Sequence, residues 1–282
     1  MIVKLCGAQM RIKHLDLEEN LKRADKFAKE AYENECNFLV YPELFLTGPP
    51  LEGYWKPIPN EYTDHFSKLS SEYSMFIVMG SISEFKGDKI YNTSVLIGEN
   101  GDIIGLYRKN WLWAVEKTYA TPSKEKPVFE TRFGKVGINI CWDLAFPQVA
   151  RTMALKGAKV IFTPSFWCKE DKYGWGLDKE TLAKLPEHDT ESLFIDIVVP
   201  ARAIENELVY MYVNPTGKFE HVKGYTLELF GHTQVAMPFY GTIKKLQEEE
   251  RLLVAEIDLG LLDVAKKVYQ ITEDQLKRTK IE

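Results

Sequence analysis

The residues that most often announce chemistry by themselves are scarce in this chain. Its five histidines are His14, His65, His188, His221 and His232, and none sits in a familiar Cys–His protease context. Four cysteines, Cys6, Cys36, Cys141 and Cys168, are widely scattered, with no CxxC pair and no metal-ligand spacing to a histidine. That scatter indicates neither a zinc site nor a disulfide framework. A basic excess is also missing: 36 Lys+Arg against 41 Asp+Glu give a formal net charge of −5, which argues against a nucleic-acid partner. No apolar run reaches membrane-spanning length, so no membrane partner is expected, and the start is too quickly polar for a signal peptide. These absences lead to the expectation of a reducing, cytoplasmic setting, where a thiol can survive as a nucleophile. GxSxG, GxGxxG after a strand, and GxxxxGK[ST] are absent as well.

What is present is an ordinary globular composition, 45% hydrophobic and 27% charged over 282 residues, with no linker that divides it. The reading is one domain over residues 1–282, ending in a charged helical tail from about 260. Periodicity predicts a strand at 2–9 and a helix at 17–34 with Asp16 as N-cap. Further strands are expected at 38–41, 75–82, 93–98, 103–107, 128–133 and 135–140. A helix at 147–156, a strand at 159–163, a helix near 193–206 and strands at 208–213, 233–238 and 252–257 complete the pattern. Glycine turns at 98–101 and 133–134 suit antiparallel links. The order helix, 37–42, helix, 76–80 has an echo in helix, 158–164, helix, 209–213. Two similar α/β halves packed sheet to sheet make a four-layer αββα sandwich with two mixed sheets.

Four residues draw attention as chemistry. Cys141 ends the apolar run Val136-Gly-Ile-Asn-Ile140 and precedes a helix, a place where a sulfur can project beside backbone N–H groups that favour a thiolate. A lone cysteine at a strand end is as a rule a small buried apolar residue, so context must decide. Glu43 follows the strand at 38–41 among Tyr41, Leu44 and Phe45, where partial desolvation would raise its pKa toward that of a useful base. Lys109 follows a strand and precedes Trp111 and Trp113; alternation sends its neighbour Arg108 to the opposite face. Glu116 is placed to pair with Lys109, or to be a surface charge.

With these in hand, the chain resembles the nitrilase superfamily of carbon–nitrogen hydrolases over nearly its whole length. Tyr41-Pro-Glu-Leu-Phe-Leu-Thr-Gly48 is similar to the family's glutamate motif, and Tyr107-Arg-Lys-Asn-Trp111 to its lysine motif. Gly137-Ile-Asn-Ile-Cys-Trp-Asp-Leu-Ala-Phe-Pro147 is similar to its cysteine motif, and Glu116-Lys-Thr-Tyr-Ala-Thr-Pro122 to the segment with its second glutamate. Ala201-Arg-Ala-Ile-Glu-Asn206 and Val254-Ala-Glu-Ile-Asp-Leu259 also match. The resemblance implies the same αββα sandwich, paired into homodimers or larger homo-oligomers, and no metal or organic cofactor. It implies an EC 3.5-type amidase or nitrilase rather than a peptidase. Glu43 is then the base, Cys141 the nucleophile, Lys109 with the Trp142 N–H the oxyanion donors, and Glu116 the residue that holds the lysine or substrate. The chain departs from the pattern in a longer charged segment at 167–199, in Thr233 for a serine and in Ser123 for a glycine.

The expected substrate is a small amide or carbamoyl amine, with a nitrile, or a non-catalytic binding role, as alternatives. Ser165, Phe166 and Trp167 are expected to line the pocket opposite Glu43, with Tyr54, Trp111 and Trp142 as aromatic walls. Such walls suit a neutral acyl group, whereas the acidic stretch 187–191 would attract an amine.

Overall fold

A computed structural model describes residues 1–50, 53–169, 178–185 and 189–279. The chain opens with β1 (Ile2–Gln9), α1 (Leu17–Glu33), β2 (Phe38–Val40), α2 (Glu61–Tyr73) and β3 (Phe76–Val78). Three antiparallel strands follow, β4 (Ile82–Lys86), β5 (Lys89–Ile97) and β6 (Ile103–Arg108). The second half contains β7 (Val128–Thr131), β8 (Gly134–Ile138), α3 (Pro147–Leu155), β9 (Val160–Pro164), α4 (Lys179–Leu182), α5 (Thr190–Asn206) and β10 (Val209–Val213). A hairpin of β11 (Thr216–Glu220) and β12 (Thr226–Phe230) comes next. The chain then forms β13 (Gln234–Met237), β14 (Gly241–Lys245), β15 (Arg251–Asp258), α6 (Gly260–Tyr269) and α7 (Ile271–Thr279).

One sheet has the order β15–β1–β2–β3–β5–β4, with β6 also paired to β5; the other has the order β14–β13–β10–β9–β8–β7. Both are mixed. β1, β2 and β3 run parallel, as do β8, β9 and β10, and antiparallel strands extend each trio. Strand alternation explains how the sheets face each other. Val3, Leu5, Phe38, Val40, Phe76 and Val78 point into one buried cluster with Val136, Ile138, Val160 and Phe162 of the other sheet. Their neighbours Cys6, Ala8, Leu39 and Ile77 point the other way, into a cluster with Ala24, Phe27, Ala28 and Ala31 of α1 and Phe66 of α2. α1 forms because its apolar positions fall on one face and Asp16 accepts the Glu19 N–H at 3.2 Å. The layers are therefore helix, sheet, sheet, helix, with α3 and α5 packed on the second sheet. Gly7 lets the sheets approach closely, since a Cβ there would lie 2.8 Å from Met211 Cε.

The expected single strand at 75–82 is instead two. β3 stays parallel to β2, and β4 folds back onto β5 after a bend at Gly80, whose φ is +36°. A Cβ at Gly80 would lie 1.9 Å from Pro42 O, so the bend requires glycine. The hairpin at 216–230 and strand β14 were not anticipated from sequence. One cysteine pair is also joined where the scatter indicated no disulfide framework. Cys6 and Cys36 are bonded, with Cα atoms 6.1 Å apart, and they lie in the layer between the first sheet and α1. This removes cysteine usage as an argument for a reducing compartment. Protein unfolded without reductant should therefore titrate two thiols per chain, Cys141 and Cys168; four would show that Cys6 and Cys36 are not bonded.

The β11–β12 hairpin docks on the first sheet's loops through imidazoles. His14 Nε2 donates to Pro49 O at 2.8 Å, its Nδ1 accepts the Val222 N–H at 2.9 Å, and its ring packs 4.0 Å from that of His221. The acceptance at Nδ1 requires neutral His14. Burial pushes His221 down to about 4 from 6.5, helped by His14 and Lys223. A folded pKa below the unfolded one means stability that is complete above pH 6.5 and is lost as pH falls toward 4. Melting temperature should fall over that interval, and less so in His221→Phe, which keeps the ring without its titration. Equal slopes for the two proteins would show that His221 does not set the acid limit.

Candidate active site

The strand ends of the two sheets meet at one place. Glu43 follows β2, and its N–H donates to Ser165 O, just after β9 on the other sheet, at 3.1 Å. Lys109 immediately follows β6, and Glu116 lies in a short 3-10 turn, Ala114–Thr118. Cys141 begins another 3-10 turn, Cys141–Ala145, directly beyond β8, and its φ of +47° turns the residue sharply out of the strand. All four expected residues come together here, and all are buried: Glu43 and Lys109 are 2% exposed, Glu116 and Cys141 7%.

Lys109 Nζ donates to Glu43 Oε1 at 2.8 Å and to Glu116 Oε2 at 2.7 Å. Arg108, its neighbour, points to the opposite side and grips Glu84 with two bonds of 2.6 and 2.7 Å. Backbone bonds fix the lysine: its N–H donates to Asn92 O at 2.9 Å, and its carbonyl accepts from the Ser123 N–H at 3.0 Å. Asn92, on β5, had not been read from sequence. Its Nδ2 donates to Glu43 Oε1 at 2.7 Å and to Glu116 Oε1 at 2.8 Å, tying the two carboxylates together as a neutral donor. The only sequence signal was a polar side chain in the strand Ile90-Tyr-Asn-Thr-Ser94.

Burial raises the Glu43 pKa, opposed by the positive charge of Lys109 and reinforced by Glu116. Burial alone would lower Lys109, but Glu116 and Glu43 outweigh it and hold the ammonium well above its ordinary value. The Cys141 thiol is pushed well up by burial and by the Glu43 charge. This corrects the expectation of a thiolate favoured by a helix N-terminus: the sulfur sits on a short turn in an apolar enclosure and is held as the thiol. The nearby thiol offsets part of the rise at Glu43, and the Phe166 N–H offsets part of the rise at the sulfur. Asp143, two residues on, is pushed up to about 6 by burial, against the backbone and Tyr107 donors that favour its charged form.

A narrow cleft leads to the thiol, lined by Trp113, Trp142, Phe166, Trp167, Cys168 and Glu191. Trp167 Nε1 donates to Glu191 Oε2 at 2.5 Å. Three of the expected walls, Trp142, Phe166 and Trp167, are therefore in place. The other three are elsewhere. Tyr54 lines a separate cleft with Leu46, Thr47 and Tyr62, because the loop after Glu43 carries it away. Trp111 is 40% exposed and stacks on Phe146 at 3.8 Å, in an outer groove that shares only Trp142 with the cleft. Ser165 is fully buried and meets Glu43 through its backbone. Of the acidic stretch 187–191, Glu187 lies outside the described residues, as does His188. Among the described residues no group of histidine, cysteine and acidic side chains could hold a metal, and no helix is long and apolar enough to cross a membrane.

An αββα sandwich with a buried Glu–Lys–Glu set beside a thiol is the architecture of a cysteine-dependent hydrolase of non-peptide C–N bonds. The sequence profile of the Carbon-nitrogen hydrolase family matches residues 5–267, and the chain belongs to that family. It is 32% identical to a nitrilase of Pyrococcus abyssi, with 93% of this chain and 92% of that protein covered. It is 27% identical to omega-amidase NIT2 of Danio rerio over 96% of this chain and 94% of the relative. Its fold matches a carbon-nitrogen hydrolase from Helicobacter pylori with a TM-score of 0.81, at 22% identity, covering 97% and 95% of the two chains. The protein is thus a carbon–nitrogen hydrolase of the nitrilase and amidase type, EC 3.5.

Asn92 supplies a hydrogen bond that favours the charged form of Glu43. Asn92→Ala should therefore move the acidic limb of kcat/KM to higher pH, by about one unit for the loss of a bond to a charged group. A limb that stays in place would show that Asn92 does not tune this carboxylate.

Proposed function

We propose that this enzyme hydrolyses a small amide, or a carbamoyl amine, through an acyl-thioester on Cys141. The observation that carries the reading is the buried thiol beside a carboxylate that Lys109 and Asn92 hold in place. Glu43 accepts the thiol proton as the sulfur attacks the carbonyl carbon and a C–S bond forms. The charge that moves onto the carbonyl oxygen is held by Lys109 Nζ and the Trp142 N–H. The turn's first bond runs from the Asp143 N–H to Ile140 O, so the Trp142 N–H precedes it and serves a ligand without breaking the turn. Glu43 then returns its proton to the nitrogen, the C–N bond breaks, and ammonia or an amine departs. Water gives a proton to Glu43 as its oxygen bonds the acyl carbon; the C–S bond breaks and sulfur regains the proton. A raised Glu43 pKa suits a group that must accept a proton and then donate it near neutrality.

The aromatic cleft suits a compact, uncharged acyl group, and an acyl carboxylate would face Glu191. A nitrile is the second reading, favoured by the 32% identity to a protein named nitrilase. On a nitrile the sulfur first adds to give a thioimidate, which water converts to the thioester with loss of ammonia. The proposal includes self-association, because α5 exposes Leu193, Ile197 and Ile204 along its length.

The test is intact-mass measurement after mixing with a pooled set of amides, carbamoyl amines and nitriles, alongside ammonia release. An acyl adduct confined to Cys141, with carbon dioxide appearing only for carbamoyl compounds, supports the reading. A first adduct lighter by the difference between NH and O identifies a nitrile substrate instead. Cys141→Ala should lose turnover by several orders of magnitude and form no adduct. Near-normal hydrolysis by that variant would sink the assignment.

A further inference from the structure

The thiol and Lys109 reach the site from different sheets, and one side chain joins the two segments that carry them. Asp143 lies in the turn that begins at Cys141, beyond β8 of the second sheet, and is fully buried. Its Oδ1 accepts the N–H groups of Asn110 and Trp111, at 3.2 and 2.8 Å, from the segment directly after Lys109. Its Oδ2 accepts the Ile140 N–H at 3.0 Å and the Tyr107 hydroxyl at 2.7 Å. The bonded groups thus bracket both reactive residues: Tyr107, Asn110 and Trp111 flank Lys109, and Ile140 directly precedes Cys141. We propose that Asp143 is a positioning residue that sets the distance between the Lys109 ammonium and the Cys141 sulfur. The inference rests on the acyl-thioester reading and adds to it the element that aligns nucleophile and oxyanion donor.

The donor set explains why a carboxylate is needed. Each oxygen accepts two bonds, and three of the four donors are backbone N–H groups that can only donate. An asparagine in this place must turn its NH₂ to one side. On the Oδ2 side it orphans the Ile140 N–H, although Tyr107 could turn and accept. On the Oδ1 side it orphans both Asn110 and Trp111. A buried N–H without an acceptor moves its loop until it finds one. Every orientation therefore displaces either the lysine segment or the cysteine turn. Asp143 itself touches no reacting atom; it meets Lys109 and Cys141 only through their chain neighbours.

The effect should fall on the step in which charge develops on the carbonyl oxygen, not on binding. At pH 8, where Asp143 is ionised in the wild type, Asp143→Asn should lower kcat about 100-fold, the scale of a reacting-group misplacement, with KM nearly unchanged. A general structural loss would also lower kcat, so the deciding measurement is a cycle with Lys109→Met. If Asp143 acts by placing Lys109, then Asp143→Asn should cost no more than about threefold once Lys109 is gone. Tyr107→Phe removes one of the four bonds and leaves the three backbone donors paired. It should show a smaller kcat loss that also vanishes in the Lys109→Met background, and it decides the question should Asp143→Asn not fold. Losses that multiply in the double variants, a loss confined to KM, or full activity in both single variants would each overturn the proposal. The acyl-thioester reading would survive all of these, since it stands or falls on the Cys141 adduct.

Discussion

An ammonium that is 2% exposed survives in a protein interior only where counter-charges are held against it. Lys109 is that group, and the surroundings answer its requirements in order. Glu43 and Glu116 provide two carboxylates at 2.8 and 2.7 Å. Two carboxylates so close to each other repel, and Asn92 bridges Glu43 Oε1 and Glu116 Oε1 with one amide nitrogen. Trp113 adds its N–H to Glu116 Oε2 at 2.8 Å. A buried ion set is weak support for stability, since dehydrating each ion costs several kcal/mol that the pairing must offset. Its value here is positional: Lys109 and Asn92 both engage Glu43 through the one oxygen Oε1, which fixes the carboxylate beside the thiol.

Electrostatics then decides the state of the sulfur. An anion at Cys141 would lie beside Glu43 in an enclosure of low polarity, and both burial and that charge oppose it. Lys109 works in the other direction and is outweighed. The resting nucleophile is accordingly a neutral thiol beside a carboxylate. Such a pair suits chemistry in which deprotonation and attack occur together, and it protects the sulfur from reagents that seek thiolates.

The parts legible in the sequence share a physical character. Glu43, Lys109, Glu116 and Cys141 each stand where an apolar run stops, and the alternation rule correctly separated Lys109 from Arg108, which turns to Glu84. The pseudo-repeat of 37–42 and 158–164 was visible because β2 and β9 are buried on both faces and read as unbroken apolar runs. What escaped depends on contacts across the fold. Asn92 resembles any outward polar residue until β5 is placed under Glu43. The split at Gly80 arises because Pro42 O occupies the space that a straight strand would need. Tyr54 was expected as an aromatic wall of the pocket, yet the loop after Glu43 carries it to another cleft. The β11–β12 hairpin alternates weakly, and its seat against His14 is invisible without the three-dimensional neighbour.

Neither half of the sandwich contains a site. The first sheet brings Glu43, Asn92, Lys109 and Glu116; the second brings Cys141 and the walls Trp142, Phe166 and Trp167. Their relative placement is therefore a property of the interface between sheets, where a register error would carry the thiol away from its base. Close packing at Gly7 against Met211 and the link from the Glu43 N–H to Ser165 O restrict that freedom. The same logic explains the polar burial around Asp143, which would be costly for a loop that only had to fold.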